Sequence, residues 1–406
     1  MDWSDSAEQA AFRAEVRNLA TEGLPPLYRR MAEQGRNEAN WQSDRSSDDP
    51  ARREAAEGWA NALSGHGWIA PHWPKEYGGA GLGPMEQFIF KHELAMAGAP
   101  EVGGHGVMTL GPTLIVHGSQ EQKARYLPPI LSGDVAWAQG YSEPGSGSDL
   151  ASLQTSADRD GDEYVINGQK IWTSGAHSSD SLFLLARTDR NAPKHRGISF
   201  MLVDDIHTNG LQVRPLVDMG WRHEFNETFF EGVRTPATHV VGEVNRGWYV
   251  GMTLMDFERS GVAGAVRLRA DLDRFVTELR GEERWRSRIE RYPVLRSTIA
   301  ERLAETEVGF NFSARIASMQ DQGIVPNYEA SIAKVFVSET GQRIAQTASR
   351  AFGLYANLWD ADDPRAPLHA GPTQEYVRRV ATTIYSGTSE IQRNIIATRG
   401  LGLPRS

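Results

Sequence analysis

Between residues 133 and 243 of this 406-residue chain no stretch holds a helical period for three turns, whereas the sequence on both sides does. The middle zone instead repeats short apolar runs between turn signals: Tyr164-Val165-Ile166, Ser181 to Leu185, Gly197 to Val203, and Thr228-Phe229-Phe230. Asn167-Gly168, lying between such runs, predicts a hairpin turn, because a type I′ turn needs positive φ at both central positions. The zone reads as a small antiparallel barrel or sandwich. Before it, Met85 to Met96 carries Phe88, Ile89 and Leu94 at helical spacing behind Pro84, and the Pro- and Gly-bearing run Gly67 to Gly79 reads as a shaped loop. The polar segment 35–52 reads as a mobile surface insertion. After it, Leu268, Leu272, Phe275 and Leu279 share one helical face, and Leu295, Ile299 and Leu303 another. Helices are expected over about 248–280, 293–322, 327–352 and 373–398. The expected fold is α+β and multi-domain: an N-terminal helical domain over 1–132, a central antiparallel β-barrel or sandwich over 133–243, and a C-terminal four-helix bundle over 244–406.

Composition narrows the function. Lys+Arg 43 against Asp+Glu 52 leaves a net charge of −9, which argues against a nucleic-acid partner. No apolar run approaches the ~20 residues of a membrane span, and the start MDWSDSAEQAAF is too acidic for a signal peptide. With no cysteine, disulfides, thiolate nucleophiles, iron–sulfur clusters and Cys-ligated zinc are all removed. A cytoplasmic location is the expectation. The 11 histidines include no His-x-x-x-His pair, and no metal site is expected; His72, His105 and His177 read as loop or pocket residues.

Three segments could carry chemistry. Gly140 to Asp149 (GYSEPGSGSD) contains Gly-x-Gly, but position 150 is Leu and the following residues alternate like a strand, so a Rossmann site is rejected. What remains is a glycine-rich loop with three serine hydroxyls, either a plain turn or a close approach to a flat or phosphorylated ligand. In Asn167 to Ala176 (NGQKIWTSGA), Trp172 is either core or a ligand platform. In Ile384 to Arg393 (IYSGTSEIQR), Gly-Thr-Ser ahead of Glu390 reads as a helix N-cap, a place that can also hold a pyrophosphate.

These segments, in this order, resemble the acyl-CoA dehydrogenase flavoprotein family. The resemblance spans nearly the whole chain and includes Gly67 to Gly79, His117-Gly118 to Leu127-Pro128, Val241-Gly242-Glu243 and Gly247-Trp248. It implies the same helical, β, helical organisation, FAD as cofactor, and α,β-dehydrogenation of an acyl-CoA thioester. It also implies electron transfer to an electron-transfer flavoprotein, and a homo-oligomer, tetramer or dimer of dimers. Residue by residue, it implies Gln139, Tyr141, Ser142, Gly147 and Ser148 in the flavin and thioester region, Trp172 against the flavin ring and Ser174 at its N5 edge. Thr388 and Glu390 match positions near the cofactor phosphates, with Glu390 standing where glutamine is common. Ser148, Arg259 and Tyr385 are the implied substrate contacts, and the Ser386 backbone N–H the implied donor to the thioester oxygen.

The base is a departure. Much of the family places a Glu immediately before the Gly-Thr of the C-terminal motif; here that position is Ser386, whose hydroxyl is far too weak a base. Other branches carry the carboxylate in a Glu-Arg pair on the first bundle helix, and Glu258-Arg259 stands there. The resemblance therefore assigns Glu258 as base, with Asp256 as a weaker substitute; without it the pair would read as a solvated helix pair. The family's Arg-x-x-Phe-Gly segment is absent near Leu279 to Trp285, and its Gln-x-x-Gly-Gly segment is reduced to Arg350 to Leu354, so no cofactor contact across subunits is assigned. Two alternatives stay open: an oxidase or monooxygenase on the same scaffold, and a nonenzymatic subunit of a heteromer.

Overall fold

The structure, a computed structural model, describes residues 4–35, 39–257 and 262–404. In chain order helices come first, then a sheet, then helices again. Contacts divide the chain into two compact units: Met1–Ala39, Gly83–Pro100 and Arg259–Ser406 form one, Asn40–Leu82 and Glu101–Glu258 the other.

The first unit is helical. Its opening helix, Ala7–Glu22, starts at a reciprocal cap in which the Ser6 hydroxyl accepts from Gln9 N and the Gln9 side chain accepts from Ser6 N. Pro84–Met96 starts at a proline, as expected, and buries Phe88, Ile89 and Leu94. It also buries Glu93, whose carboxylate accepts from Arg13 at 2.8 Å and Arg17 at 2.9 Å. Among the later helices, Val262–Gly281 buries Leu268, Leu272, Phe275 and Leu279, the face expected from their spacing. Leu272, Phe275 and Leu279 pack with Trp285, Ala348 and Phe352. Pro293–Asp321 departs from expectation: Leu295 is buried but Leu303 is exposed, and the buried stripe runs instead through Thr306, Gly309, Ser313 and Ala317. Tyr328–Phe352 follows, and the segment read as one helix over 373–398 is two, Gly371–Arg378 and Ser389–Ile395. Ser386 (φ +52°) and Gly387 (φ +83°) lie between them in the left-handed region, which no continuous right-handed helix admits.

The second unit holds the sheet. Its strands are β1 Trp137–Gly140, β2 Ser156–Asp160, β3 Glu163–Lys170, β4 Ser181–Arg187, β5 Ile198–Val203, β6 Leu211–Val217, β7 His223–Pro236 and β8 Val240–Val241. They run in the order β6-β7-β3-β2-β4-β5-β8, with β1 beside β4. Most pairs are antiparallel; β1–β4 and the single β2–β4 bridge are parallel. Every residue of β4 and β5 is buried, which is why those runs are continuous rather than alternating.

Two local expectations are corrected here. Asn167-Gly168 is not a hairpin turn: it lies inside β3, the β2–β3 turn falls at Gly161-Asp162, and Asn167 sits at a register shift against β7. The glycine serves close approach, since a Cβ at 168 would lie 2.6 Å from Thr155 Oγ1. Within the segment read as a mobile insertion, Trp41–Arg45 is a helix capped by Asn40, with Trp41 buried and Asp44 paired to Arg52 at 2.8 Å. One buried indole and one buried carboxylate with its arginine partner outweigh the polar composition around them.

Candidate cofactor and substrate residues

In the sheet unit, β1 delivers Gln139 and Gly140 to the loop that follows, and β3 delivers the chain to Trp172. Lys170 ties the two together. Its ammonium, with no solvent exposure, donates to Glu143 Oε1 at 2.9 Å and to the Tyr141 carbonyl at 3.1 Å. Burial pulls the Lys170 pKa down to about 8, against the opposing pull of the Glu143 charge. Burial works to raise the Glu143 pKa, but Lys170 and the N–H groups of Gln154 (2.6 Å) and Thr155 (2.8 Å) hold it below its ordinary value. Ile171 N donates to Ser142 O at 2.9 Å, which closes the same junction.

Around this brace, Tyr141 is buried and burial pushes its phenol pKa up. Ser142 is half-buried, whereas Gly147 and Ser148 stand on the exposed rim of the loop. A Cβ on Gly145 or Gly147 would meet nothing within 4 Å, so the loop presents its backbone to open space. A cleft of 400 Å³ opens there, lined by Pro144, Gly145, Ser146, Thr155 and Gln169 among others.

Trp172 is the most informative side chain. Its φ is +61°, a strained value for a bulky residue, and its indole is 54% exposed, edge-on to Phe225 with ring centroids 5.7 Å apart. Ser174 follows, half-buried. An exposed aromatic face held at a backbone cost suits a planar ligand; Trp221, with φ +60° and 80% exposure, shares that combination in the sheet unit.

In the helical unit, Thr388 caps Ser389–Ile395, its Oγ1 accepting from Ile391 N at 3.2 Å. Gln392 Nε2 donates to Ser386 O at 3.2 Å and fixes the left-handed turn. Tyr385 and Ser386 are exposed. Its own backbone N–H in the first helical turn, then the Thr388 hydroxyl, hold the Glu390 carboxyl below its ordinary pKa. A cleft of 340 Å³ is lined by Arg343, Gln346, Thr388, Ser389, Glu390 and Arg393 among others. Ser389 Oγ is buried there without a partner. Glu258 and Arg259 lie outside the described residues. Among the described residues no cluster of three or more metal-ligating side chains occurs, and no helix is long and apolar enough to cross a membrane.

The donor set fits FAD. In the sheet unit Trp172 offers a flat apolar face, Ser142, Ser148 and Ser174 hydroxyls, and Gly145 and Gly147 an open backbone; in the helical unit Thr388 and the unpartnered Ser389 Oγ offer donors of the kind a pyrophosphate takes. The sequence reading did not find the Lys170–Glu143 pair or Asn226, described below. Lys170 had a signal: it falls on the inward parity of Tyr164 and Ile166 in β3, where a lysine needs a buried counter-charge.

Fold and donor set suit a flavin-dependent oxidoreductase, and comparison with known proteins shows the class. Residues 6–134, 138–233 and 245–401 match the N-terminal, middle and C-terminal domains of acyl-CoA dehydrogenase. Acyl-CoA dehydrogenase IpdE1 of Mycobacterium tuberculosis (strain ATCC 25618 / H37Rv) is 38% identical over 87% of this chain and 89% of its own. The solved structure titled Tcur3481-Tcur3483 steroid ACAD is 34% identical with a TM-score of 0.86, covering 100% of both chains. The ChsE4-ChsE5 complex from Mycobacterium tuberculosis is 33% identical with a TM-score of 0.81, again over 100% of both. The chain belongs to the acyl-CoA dehydrogenase family. It is an acyl-CoA dehydrogenase, an oxidoreductase, and its cofactor is FAD.

Proposed function

We propose that the chain removes the α-proton and the β-hydride of an acyl-CoA thioester to give the trans-2-enoyl-CoA, with electrons passing on to an electron-transfer flavoprotein. The observation that carries the reading is the exposed, left-handed Trp172 at the end of β3, followed by Ser174. Bound FAD supplies the two-electron acceptor for the β-hydride. Trp172 would hold the flat ring and Ser174 its edge, while Gln139, Tyr141, Ser142, Gly147 and Ser148 would line the flavin and thioester region. Thr388 would serve the phosphates, and Glu390, whose carboxylate can only accept, would contact the cofactor near them. The Ser386 backbone N–H donates to the thioester oxygen, which acidifies the α-carbon. The Glu258 carboxylate takes the α-proton. Arg259, Tyr385 and Ser148 contact substrate. The division into 1–132, 133–243 and 244–406 belongs to the same proposal and is supported by the three family matches.

For the acyl group we propose a polycyclic, steroid-type thioester, supported by the likeness to the steroid ACAD structure. A screen of acyl-CoA thioesters for bleaching of the bound flavin tests this. Bleaching by steroid acyl-CoA ahead of straight chains is expected; bleaching by straight chains alone refutes it.

One observation favours a second reading, that the chain works as one subunit of a heteromer. In the reduced Arg350–Leu354 segment, Ala351 and Phe352 are buried in the helical core and Leu354 is 85% exposed, and the related ChsE4 and ChsE5 form a complex. Native mass spectrometry with flavin stoichiometry separates the two: a homomer with one FAD per chain supports a homo-oligomer, tetramer or dimer of dimers.

A further inference from the structure

The strained turn at Trp172 has a mechanical origin in the register of β3 against β7. Lys170 pairs with Thr228, so an unbroken ladder would set Trp172 opposite Asn226. Instead Thr173 N donates to Asn226 O at 3.0 Å, which leaves one extra residue on this side and throws Trp172 out as a bulge. Gly175 N then donates to Glu224 O at 2.9 Å.

Asn226 grips Thr173 a second time. Its carboxamide, in a residue with no solvent exposure, donates through Nδ2 to the Thr173 carbonyl at 3.0 Å. That carbonyl can only accept, so Nδ2 must face it and Oδ1 must face the other way. There Oδ1 meets His223 Nε2 at 2.8 Å, which therefore carries a proton. The second Nδ2 hydrogen faces His177 Nδ1 at 3.1 Å, which therefore accepts. Burial and the His223 charge both lower the His177 pKa and favour that neutral acceptor form. The two imidazoles lie with centroids 4.0 Å apart. From the other side Gln42 Nε2 donates to Gly175 O at 3.2 Å and Ser179 Oγ at 2.8 Å.

We propose that Asn226 is a positioning residue for the flavin: its carboxamide, oriented by His177 and His223, clamps Thr173 and so presets the Trp172 indole for the flavin ring. The inference rests on the proposed role of Trp172. A buried asparagine in a strand is otherwise poorly placed, since asparagine is depleted there and its amide must be satisfied at every polar atom.

The test is FAD titration of the deflavinated protein in a double-mutant cycle. Asn226→Asp keeps the shape, removes both Nδ2 donations and sets an acceptor against the Thr173 carbonyl. It is expected to raise the FAD Kd by ~10-fold and to shift the flavin absorption band, from the loss of buried hydrogen bonds. Trp172→Ala should also weaken FAD, and the double variant should be little worse than either, because both act through one indole. Thr235→Val is the control: it removes a buried hydroxyl bond to Leu202 O elsewhere in the sheet, and should lower the melting temperature while leaving FAD affinity unchanged. If Asn226→Asp fails to fold, Gln42→Ala is run in the same cycle, with a weaker but likewise non-additive effect expected. An unchanged FAD Kd, or full additivity with Trp172→Ala, overturns the proposal. If Trp172→Ala itself leaves FAD binding and spectrum unchanged, the proposed role of Trp172 falls, and the positioning role with it.

Discussion

Lys170 Nζ lies 2.9 Å from Glu143 Oε1, the amine wholly sealed from solvent and the carboxylate nearly so. One residue is on β3, the other in the glycine-rich loop after β1, so the pair joins the two segments that carry most of the proposed flavin contacts in the sheet unit.

Removing one partner should be far worse than removing both. Glu143→Gln leaves a buried ammonium unpaired and should cost about 3–5 kcal/mol at neutral pH, read by denaturant unfolding. Lys170→Met with Glu143→Gln should recover part of that loss. The pH dependence has a definite sign. The folded pKa of Lys170 is already depressed to about 8 from 10.5, and without Glu143 it falls further. The unfolded chain then binds more protons, so stability rises with pH, and the Glu143→Gln penalty should shrink between pH 6 and pH 9.5. A penalty that grows over that range contradicts the assignment.

Glu93 supplies an acid-side counterpart in the helical unit. Burial works against its charge, but His92, Arg17 and Arg13 overcome this and hold its pKa at about 2, below the ordinary 4.5. A depressed carboxyl stabilises above the unfolded value and loses that contribution as pH falls from about 4.5 to about 2. Glu93→Gln should therefore destabilise at pH 7 and flatten the acid limb of a stability–pH profile. An acid limb unchanged in the variant would show that other carboxylates set it.

Gly168→Ala should be destabilising out of proportion to one methyl. The position has φ +147°, and its Cβ would lie 2.7 Å from Thr155 Cα, a backbone atom that cannot swing aside. A loss of about 2 kcal/mol or more is expected by thermal unfolding, with weakened FAD retention, because Thr155 N is one of the donors that hold Glu143. A fully stable variant would mean that β2 and β3 separate more easily than their contact suggests.

Periodicity made the element order legible, since the apolar faces of Pro84–Met96 and Val262–Gly281 can be read from spacing alone. It misread Asn167-Gly168, because a glycine chosen for positive φ and one chosen for close approach look alike until the neighbouring strand is placed. The segments bearing Trp172 and Thr388 were visible as motifs, but the strain at Trp172 was not: it arises from pairing with β7, more than 50 residues later in the chain. Asn226 and Gln42 left no sequence signal, because their worth lies in long-range partners that only the fold brings near, Thr173 and His177 for one, Gly175 and Ser179 for the other. Lys170 was half legible, as an inward-facing charge whose partner only the fold supplies.

The proposed base is tested by Glu258→Gln. The amide is nearly isosteric, so flavin and fold should be kept and acyl-CoA should still bind. Flavin bleaching in stopped flow should slow by at least ~10²-fold, the low end of general-base catalysis. Ser386→Ala should cost far less, because only the backbone N–H at 386 is asked to act. Ser386→Gly should keep that N–H as well, and should stabilise the turn by relieving the left-handed strain at φ +52°. Adding Ser386→Glu to the Glu258→Gln protein restores part of the rate if a carboxylate at either position reaches the same α-carbon. Near-normal bleaching in Glu258→Gln would place the base elsewhere, with Asp256 the next residue to change, and the proton step proposed above would be wrong.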